Sequence, residues 1–354
     1  MNLGLVEKIA KAVLYEGYLL YPYRPSAVKN RQRWNFGVLY PRFYSQAQTG
    51  SDASMCQTEC LVEGSQLSTL EVKVRCLQLI ERSVGQLAFP QNQLSPDEIP
   101  EVRIVEKLEL AETIFYPWQE AMEQEISMPI RNLASLRPEP LLQPFTLPSQ
   151  KEFEVLRDPS GQTAGVILRE REQIRGTILI SAECAGGGVF KICVRIQNES
   201  PFEASECGNR EEALLRSLVS THTIMGVEDG AFVSAVDPPE SLRELSAGCH
   251  NIGTWPVLVG EEGQQDTILS SPIIMYDYPQ IAPESVGDLF DGTEIDEILS
   301  LRIMTLTDEE KREMRQSDER ARQLLERTET LPVEQLMKLH GVLRGLRPLK
   351  EGAQ

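Results

Sequence analysis

Histidine is nearly missing from this chain: among 354 residues only three occur, at His222, His250 and His340. Imidazole is the side chain best suited to proton transfer and metal binding near neutral pH, so the choice of bases and ligands is narrow from the start. Long apolar runs are missing too. No uncharged stretch reaches the length that spans a bilayer, and the opening Met1–Tyr15 has neither the apolar region nor the cleavage site of an export signal. Seven cysteines, an odd number strung out between Cys56 and Cys249, do not make the paired framework of a small secreted domain. A reduced, cytoplasmic setting is the expectation. Proline and glycine are too sparse overall for a disordered or fibrous chain.

The most local absence is of acid. Aspartate and glutamate outnumber lysine and arginine by 53 to 35, for a net charge of −18, yet no acidic residue lies between Glu16 and Asp52. That gap holds Tyr21, Tyr23, Arg24, Lys29, Arg31, Arg33 and Trp34, bordered by Tyr18, Phe36 and Tyr40. Guanidinium forks interleaved with aromatic faces suit an anionic or protein partner. The acidic balance of the whole chain argues against nucleic acid, whose affinity grows with the number of basic contacts. Pro22, Pro25 and Pro41 interrupt helix and central-strand pairing, so the strip reads as an extended loop with a short strand near Phe36–Tyr40. A docked strip, covered by the acidic run Glu284, Asp288, Asp291, Glu294, Asp296 and Glu297, is the plain alternative to an exposed one.

At this length, two domains or one domain with appendages is expected. Leu5, Ile9, Ala12, Val13 and Glu16 predict an amphipathic opening helix, and the alternation through Leu70, Val72, Val74 and Cys76 a strand with one buried face. A second strand is expected within Val102–Leu110. Pro138, Pro140, Pro144 and Pro148 suggest a stiff linker over 138–148. Thr177–Cys184 and Val189–Gln197 flank Ala185-Gly-Gly-Gly188 as a hairpin, with Phe190, Ile192, Val194 and Ile196 on the buried face. A helix over Glu211–Thr221 and strands near Ala231–Val236, Trp255–Val259 and Ile268–Tyr276 follow. Thr307-Asp-Glu-Glu310 is a capping box opening a charged, well-exposed helix, with Asp308–Arg312 and Asp318–Arg322 pairs. After Pro332, Leu336, Leu339, Leu343 and Leu346 predict a second helix. The class is α+β: a strand-rich mixed body with antiparallel hairpins and a C-terminal helical pair. Its regions are 1–137 with the strip, the 138–148 linker, a strand-rich 149–300 and a helical 301–354.

Catalytic constellations are hard to find. Cys56, Cys60, Cys249 and His250 lack the paired spacing of a zinc site, and ordinary thiols are the simpler reading. Cys249 and His250 are adjacent, so their side chains point apart rather than forming a nucleophile–base pair. The Gly186-Gly-Gly188 run lacks the lysine and the strand-to-helix context of a phosphate loop and reads as a turn. No catalytic set, metal or cofactor is assigned. The rival reading is an enzyme or small-ligand module whose strip clamps an anionic substrate, with Cys249, His250 or Asp277 contributing chemistry.

Three strings are distinctive: Tyr21–Trp34, Ser271–Ser285 and Asp288–Leu299, together with Leu301–Lys311. Over nearly the whole chain they make it resemble an uncharacterised bacterial family encoded near high-affinity, oxygen-tolerant [NiFe] hydrogenases. The resemblance carries no active-site residue. It implies a non-enzymatic accessory protein that binds a hydrogenase subunit or maturation factor in assembly, maturation or attachment. The oligomeric state stays open.

Overall fold

The computed structural model describes residues 3–14, 37–91, 100–111, 113–137, 139–203, 209–280, 306–317 and 319–330. Helices α1 (Leu3–Leu14) and α2 (Arg42–Ala47) precede a very long strand, β1 (Met55–Gln91). Next come β2 (Arg103–Val105), β3 (Leu108–Leu110), β4 (Thr113–Phe115), β5 (Trp118–Ser127), β6 (Arg131–Asn132) and β7 (Leu141–Leu147). Then follow β8 (Gln150–Arg157), β9 (Thr163–Arg171), β10 (Ile174–Gly186) and β11 (Val189–Asn198). Helix α3 (Arg210–Leu215) leads into β12 (Val219–Phe232), α4 (Arg243–Ala247), β13 (Trp255–Leu258) and β14 (Thr267–Ser271). Toward the C-terminus lie α5 (Asp308–Ser317) and α6 (Glu319–Thr330). The body is strand-rich, and every strand pair among the described residues is antiparallel.

Strand β1 is the spine. It pairs with β11 over Met55–Glu63, β12 over Val62–Leu77, β5 over Lys73–Arg82 and β9 over Glu81–Gln91. A straight strand of this length would run roughly 120 Å, so β1 has to bend, and its register marks where. Gly64 faces Gly230 and Thr69 faces Glu228, which leaves Ser65–Ser68 opposite Asp229 alone. Asp229 takes a left-handed φ of 57°, and the Ser68 hydroxyl donates to its carbonyl. A second irregularity lies between the Arg75–His222 and Leu77–Val219 pairs, where Cys76 faces both Ser220 and Thr221. Because of the bends, Cys56, Cys60 and Val62 from one arm and Leu70, Val72 and Val74 from the next bury into the same core.

The hairpin of β10 and β11 forms as the alternation predicts. Phe190, Ile192, Val194 and Ile196 are buried, Cys193 is half-buried, and Gly186, Gly187 and Gly188 supply the positive φ angles of the turn. The opening helix also forms, with Val6, Ile9 and Ala10 against Val257 and Leu269. Elsewhere local pattern gives way to pairing. The helix expected through Thr221 stops at Leu215, because Val219–Ile224 is rich in β-branched residues and joins the sheet beside β1. Of the strand expected near Phe36–Tyr40, the described residues Gly37–Tyr40 make an isolated bridge between Leu39 and Leu218. Val102–Leu110 divides into β2 and β3, the Ala231–Val236 strand is only the end of β12, and Pro272 closes the strand expected to reach Tyr276. Within 138–148, Leu141–Leu147 forms β7, which pairs with β10, and Leu147 lies in the main core.

The capping box forms reciprocally. Thr307 N–H donates to Glu310 Oε2 at 2.7 Å, and Glu310 N–H donates to Thr307 Oγ1 at 3.3 Å. The helix it opens is exposed at Asp308, Arg312 and Arg315, as expected, and is anchored by Met314, which is fully buried with Leu325 of α6 in a cluster with Leu14, Tyr40, Leu77 and Trp118. Its ion pairs differ from those expected. Arg312 Nε donates to the Asp308 backbone carbonyl, while Lys311 and Arg315 reach across to Glu329 of α6 at 3.3 and 2.5 Å. Asp318 and the expected leucine helix after Pro332 lie outside the described residues. Because Met314 packs home, Met314→Ala should cost about 2–4 kcal/mol in chemical unfolding; a loss below about 0.5 kcal/mol, the size of a surface change, would show that α5 does not pack there.

Candidate functional site

Residues Tyr21, Tyr23, Arg24, Lys29, Arg31, Arg33 and Trp34 lie outside the described residues, as does the acidic run Glu284–Glu297. In the chain the strip meets the described body at Gly37. The residues of the rival reading are placed, and each has a structural partner. Asp277 Oδ1 accepts the Leu258 N–H at 2.8 Å and Oδ2 accepts the Ser234 hydroxyl, whose oxygen in turn accepts the N–H groups of Val236 and Asp237. That carboxylate pins the chain after β14 to the end of β13.

His250 takes part through its backbone. Its N–H donates to Glu59 Oε2 at 2.9 Å, and its carbonyl accepts from Gln57 Nε2 at 3.0 Å. Arg195 holds Gln57 Oε1 from the other side at 2.9 and 2.6 Å, and Asn251 Oδ1 accepts the Glu59 N–H. These contacts fasten the 249–254 loop over the outer face of β1 and β11. The Cys249 thiol points to the Leu245 carbonyl. Burial raises the Cys249, Cys193 and Cys60 thiols, and pushes Cys56 and Cys76 up to about 12, so all five stay protonated and weakly nucleophilic at neutral pH. Cys56 and Cys60 belong to the apolar core, and among the described residues no group of three His, Cys, Asp or Glu side chains is placed to hold a metal ion.

Beside Gly37 there is a cleft of about 290 Å³. Its floor is built by two unusual backbone sites. Gly37 has φ +53°, and a Cβ there would lie 2.4 Å from Cγ of Pro272, so only glycine fits. Ser220, at φ +52°, is the bulged residue of β12, and the bulge presents Thr221, whose N–H donates to the Gly37 carbonyl at 3.0 Å. Bulges re-aim side chains in this way. On the opposite wall Tyr40 packs against Tyr44, with ring centroids 5.3 Å apart, and Tyr44 meets Phe202 edge-on. Asn209 caps α3 by accepting the Glu211 and Glu212 N–H groups, which sets Arg210 at the rim with its guanidinium 5.4 Å from the Tyr40 ring centroid and its Nε 3.6 Å from Asp52.

Two oxygens stand out. The Tyr40 and Thr221 hydroxyls are buried, in side chains 2% and 1% exposed, and neither makes a hydrogen bond to the described residues. Arg210 is the charged neighbour of the Tyr40 phenol, with its guanidinium 5.4 Å from the ring centroid and within reach of the hydroxyl. Burial raises the phenol to about 12 against the opposing pull of Arg210, so Tyr40 remains an O–H donor. Among the described residues no histidine or lysine lines the cleft, its thiol belongs to Cys56, and its carboxylate, Asp52, is occupied by Arg210 and the Tyr44 hydroxyl. The arrangement suits binding and offers no nucleophile–base pair. Trp255, 41% exposed, forms another wall, and the neighbouring Ile274 and Tyr276 are 75% and 84% exposed.

Sequence reasoning named Tyr40 only as a border of the strip and placed Thr221 at a helix end. A one-residue bulge leaves no local signature, so nothing in the string joined the two. No family model, no curated protein and no solved structure matches the chain.

One residue past the bulge, His222 is fully buried. Its Nδ1 lies 2.9 Å from the Ser220 carbonyl, which can only accept, so Nδ1 carries the proton and Nε2 is left without a partner among the described residues. Burial lowers its pKa from 6.5 to about 4. The unfolded chain therefore binds a proton that the folded chain refuses, and stability contributed by the neutral ring is complete above pH 6.5 and lost as the pH falls from 6.5 to 4. Across that window wild type should lose about 3 kcal/mol more than His222→Gln in urea titrations. Parallel pH profiles for the two proteins would refute the assignment.

Proposed function

We propose that this chain is a non-enzymatic, cytoplasmic accessory protein that binds a protein partner. Its contact surface combines Tyr21, Tyr23, Arg24, Lys29, Arg31, Arg33 and Trp34 with the aromatic rim of the body where that segment joins it. The observation that carries this reading is the exposure of Trp255, Ile274 and Tyr276 beside Pro272, against which Gly37 packs at the end of the strip. Tryptophan, tyrosine and arginine are the side chains that most often dominate interface energies. Among the described residues the raised thiols and the lack of an acid–base pair in the cleft favour binding over chemistry. No helix among the described residues is long and apolar enough to cross a membrane. The resemblance of Tyr21–Trp34, Ser271–Ser285 and Asp288–Leu299 to a hydrogenase-associated family supports a [NiFe] hydrogenase subunit or maturation factor as the partner.

The test is capture from the native host grown under hydrogenase-expressing conditions, using the tagged chain and mass spectrometry. Hydrogenase subunits or maturation factors should be enriched with wild type and lost with the Arg31→Ala, Arg33→Ala, Trp34→Ala variant, which should unfold at the wild-type temperature. Equal capture by the variant would remove the strip from the interface. Capture of no hydrogenase component by either protein would remove the partner.

A further inference from the structure

We infer that the outer face of Pro272–Tyr278, with Trp255 at its foot, is a docking surface for a cationic, apolar peptide segment of the partner, one that carries arginine or lysine between apolar side chains. The inference rests on the reading above only for the existence of a partner, because the surface uses none of the strip's side chains.

The segment after β14 is a fixed ridge. Ile273 and Met275 pack against the cluster of Val6, Ile9 and Ala10, and the alternation turns Ile274 and Tyr276 outward, where both are largely exposed. Both ends are fastened. The Ser271 hydroxyl accepts the Ile273 N–H at 3.3 Å, Asp277 Oδ1 accepts the Leu258 N–H at 2.8 Å, and the Tyr278 N–H donates to the Leu258 carbonyl at 2.7 Å. The Tyr278 hydroxyl adds a bond to the Gln264 carbonyl at 3.0 Å. Trp255 stands opposite Ser271 in the β13–β14 ladder, and half-exposed Val236 adjoins Asp277 through Ser234. Exposed apolar groups on a fixed backbone have lost most of their freedom before a partner arrives, so little ordering is left for binding to cost. Such faces mark interaction sites.

Charge then selects the occupant. Residues 217–280 contain nine aspartates and glutamates, no lysine and one arginine, Arg243, which Glu240 engages at 2.7 Å. Asp277 follows Tyr276 and Asp237 follows Val236 in the chain. Burial, then the charges of Asp277 and Glu262, push the Tyr278 phenol up, which sets Glu262 beside the ridge as well. Of the cations on neighbouring elements, Arg210 is opposed by Asp52 at 3.6 Å, and α1 exposes Glu7 along with Lys11. Nucleic acid or an anionic membrane would meet like charge here. A second copy docked face to face would press the same acids together. A cationic segment meets opposite charge instead, and its guanidinium groups fit the open faces of Tyr276 and Trp255 while their apolar neighbours cover Ile274.

The full-length chain labelled with 5-fluorotryptophan provides the test, with the Trp255 resonance assigned through Trp255→Phe. Titration with acetyl-Arg-Leu-Arg-Leu-Arg-amide in about 50 mM salt should shift that resonance saturably, with a dissociation constant on the order of 0.1 mM. Raising the salt to about 500 mM should weaken binding at least about fivefold. The acidic counterpart with glutamate for arginine should give no saturable shift. The double variant Ile274→Ser, Tyr276→Ser should bind at least about tenfold more weakly, and Glu261→Gln, Glu262→Gln should lower both the affinity and its salt dependence; both variants alter exposed side chains and should unfold at the wild-type temperature. No saturable shift with the basic peptide overturns the proposal. So does an equal response to the acidic one, or unchanged binding in the Ile274/Tyr276 variant. The Arg31→Ala, Arg33→Ala, Trp34→Ala variant should bind the peptide as wild type does; binding about tenfold tighter would make the chain's own strip the occupant and overturn the assignment to a partner. Because the peptide is a defined probe, failure here leaves the capture result standing, and failed capture leaves this surface standing.

Discussion

Everything in this body hangs on the need of one strand to satisfy its backbone along both edges. Strand β1 carries β11 on one side and β12 on the other where they overlap at Val62, then β5 opposite β12 around Val74, then β2 opposite β9 around Val84. Buried backbone groups need partners, so a strand that passes through the centre of a protein recruits a neighbour wherever an edge would be open. Bends follow from the same demand, since neither the core nor its partners can extend as far as a straight β1 would. The bulges at Asp229 and Ser220 let it turn while the ladder resumes on either side. The second of them creates the cleft floor.

Much of the local structure was legible, for a definite reason. Where side chains alternate between core and solvent, as in Phe190–Ile196, period and burial coincide and the string suffices. The capping box was equally plain because its two hydrogen bonds involve residues three apart. Legibility fails where partners are distant. In Met55–Val62 every residue from Cys56 onward is buried, because the 249–254 loop covers the face that carries Gln57 and Glu59. Two polar residues in a strand normally advertise a solvent face; here they are the hooks for a loop some 190 residues away. A helix can be charged over most of its surface and still be fixed by one residue, as Met314 shows.

The cleft was invisible for the same reason in sharper form. Tyr40 and Thr221 come from segments some 180 residues apart, joined by contacts such as the Leu39–Leu218 bridge and the Thr221–Gly37 hydrogen bond. Arg210 arrives through a helix of six residues whose cap, Asn209, fixes its direction. None of these placements has a sequence period. The metal reading of Cys56, Cys60, Cys249 and His250 weakens by comparable logic: spacing along the chain says little once Cys56 and Cys60 face the main core while Cys249 packs in a separate cluster with Leu61 and Leu242.

A left-handed serine, a glycine wedged against Pro272, the unbonded Thr221 hydroxyl and a buried neutral histidine all lie at or beside the β12 bulge. Strain at a non-glycine positive φ is worth about 1–3 kcal/mol, and an unsatisfied buried group about as much. Against a typical net stability of 5–15 kcal/mol these are large amounts to concentrate in one place. A marginal scaffold would relax them. This one cannot, because Ser220 and Thr221 are held between the Arg75–His222 and Leu77–Val219 pairs of the central strand, with the core beneath them. The spine that makes the fold rigid is thus what keeps the cleft in a state it would otherwise leave.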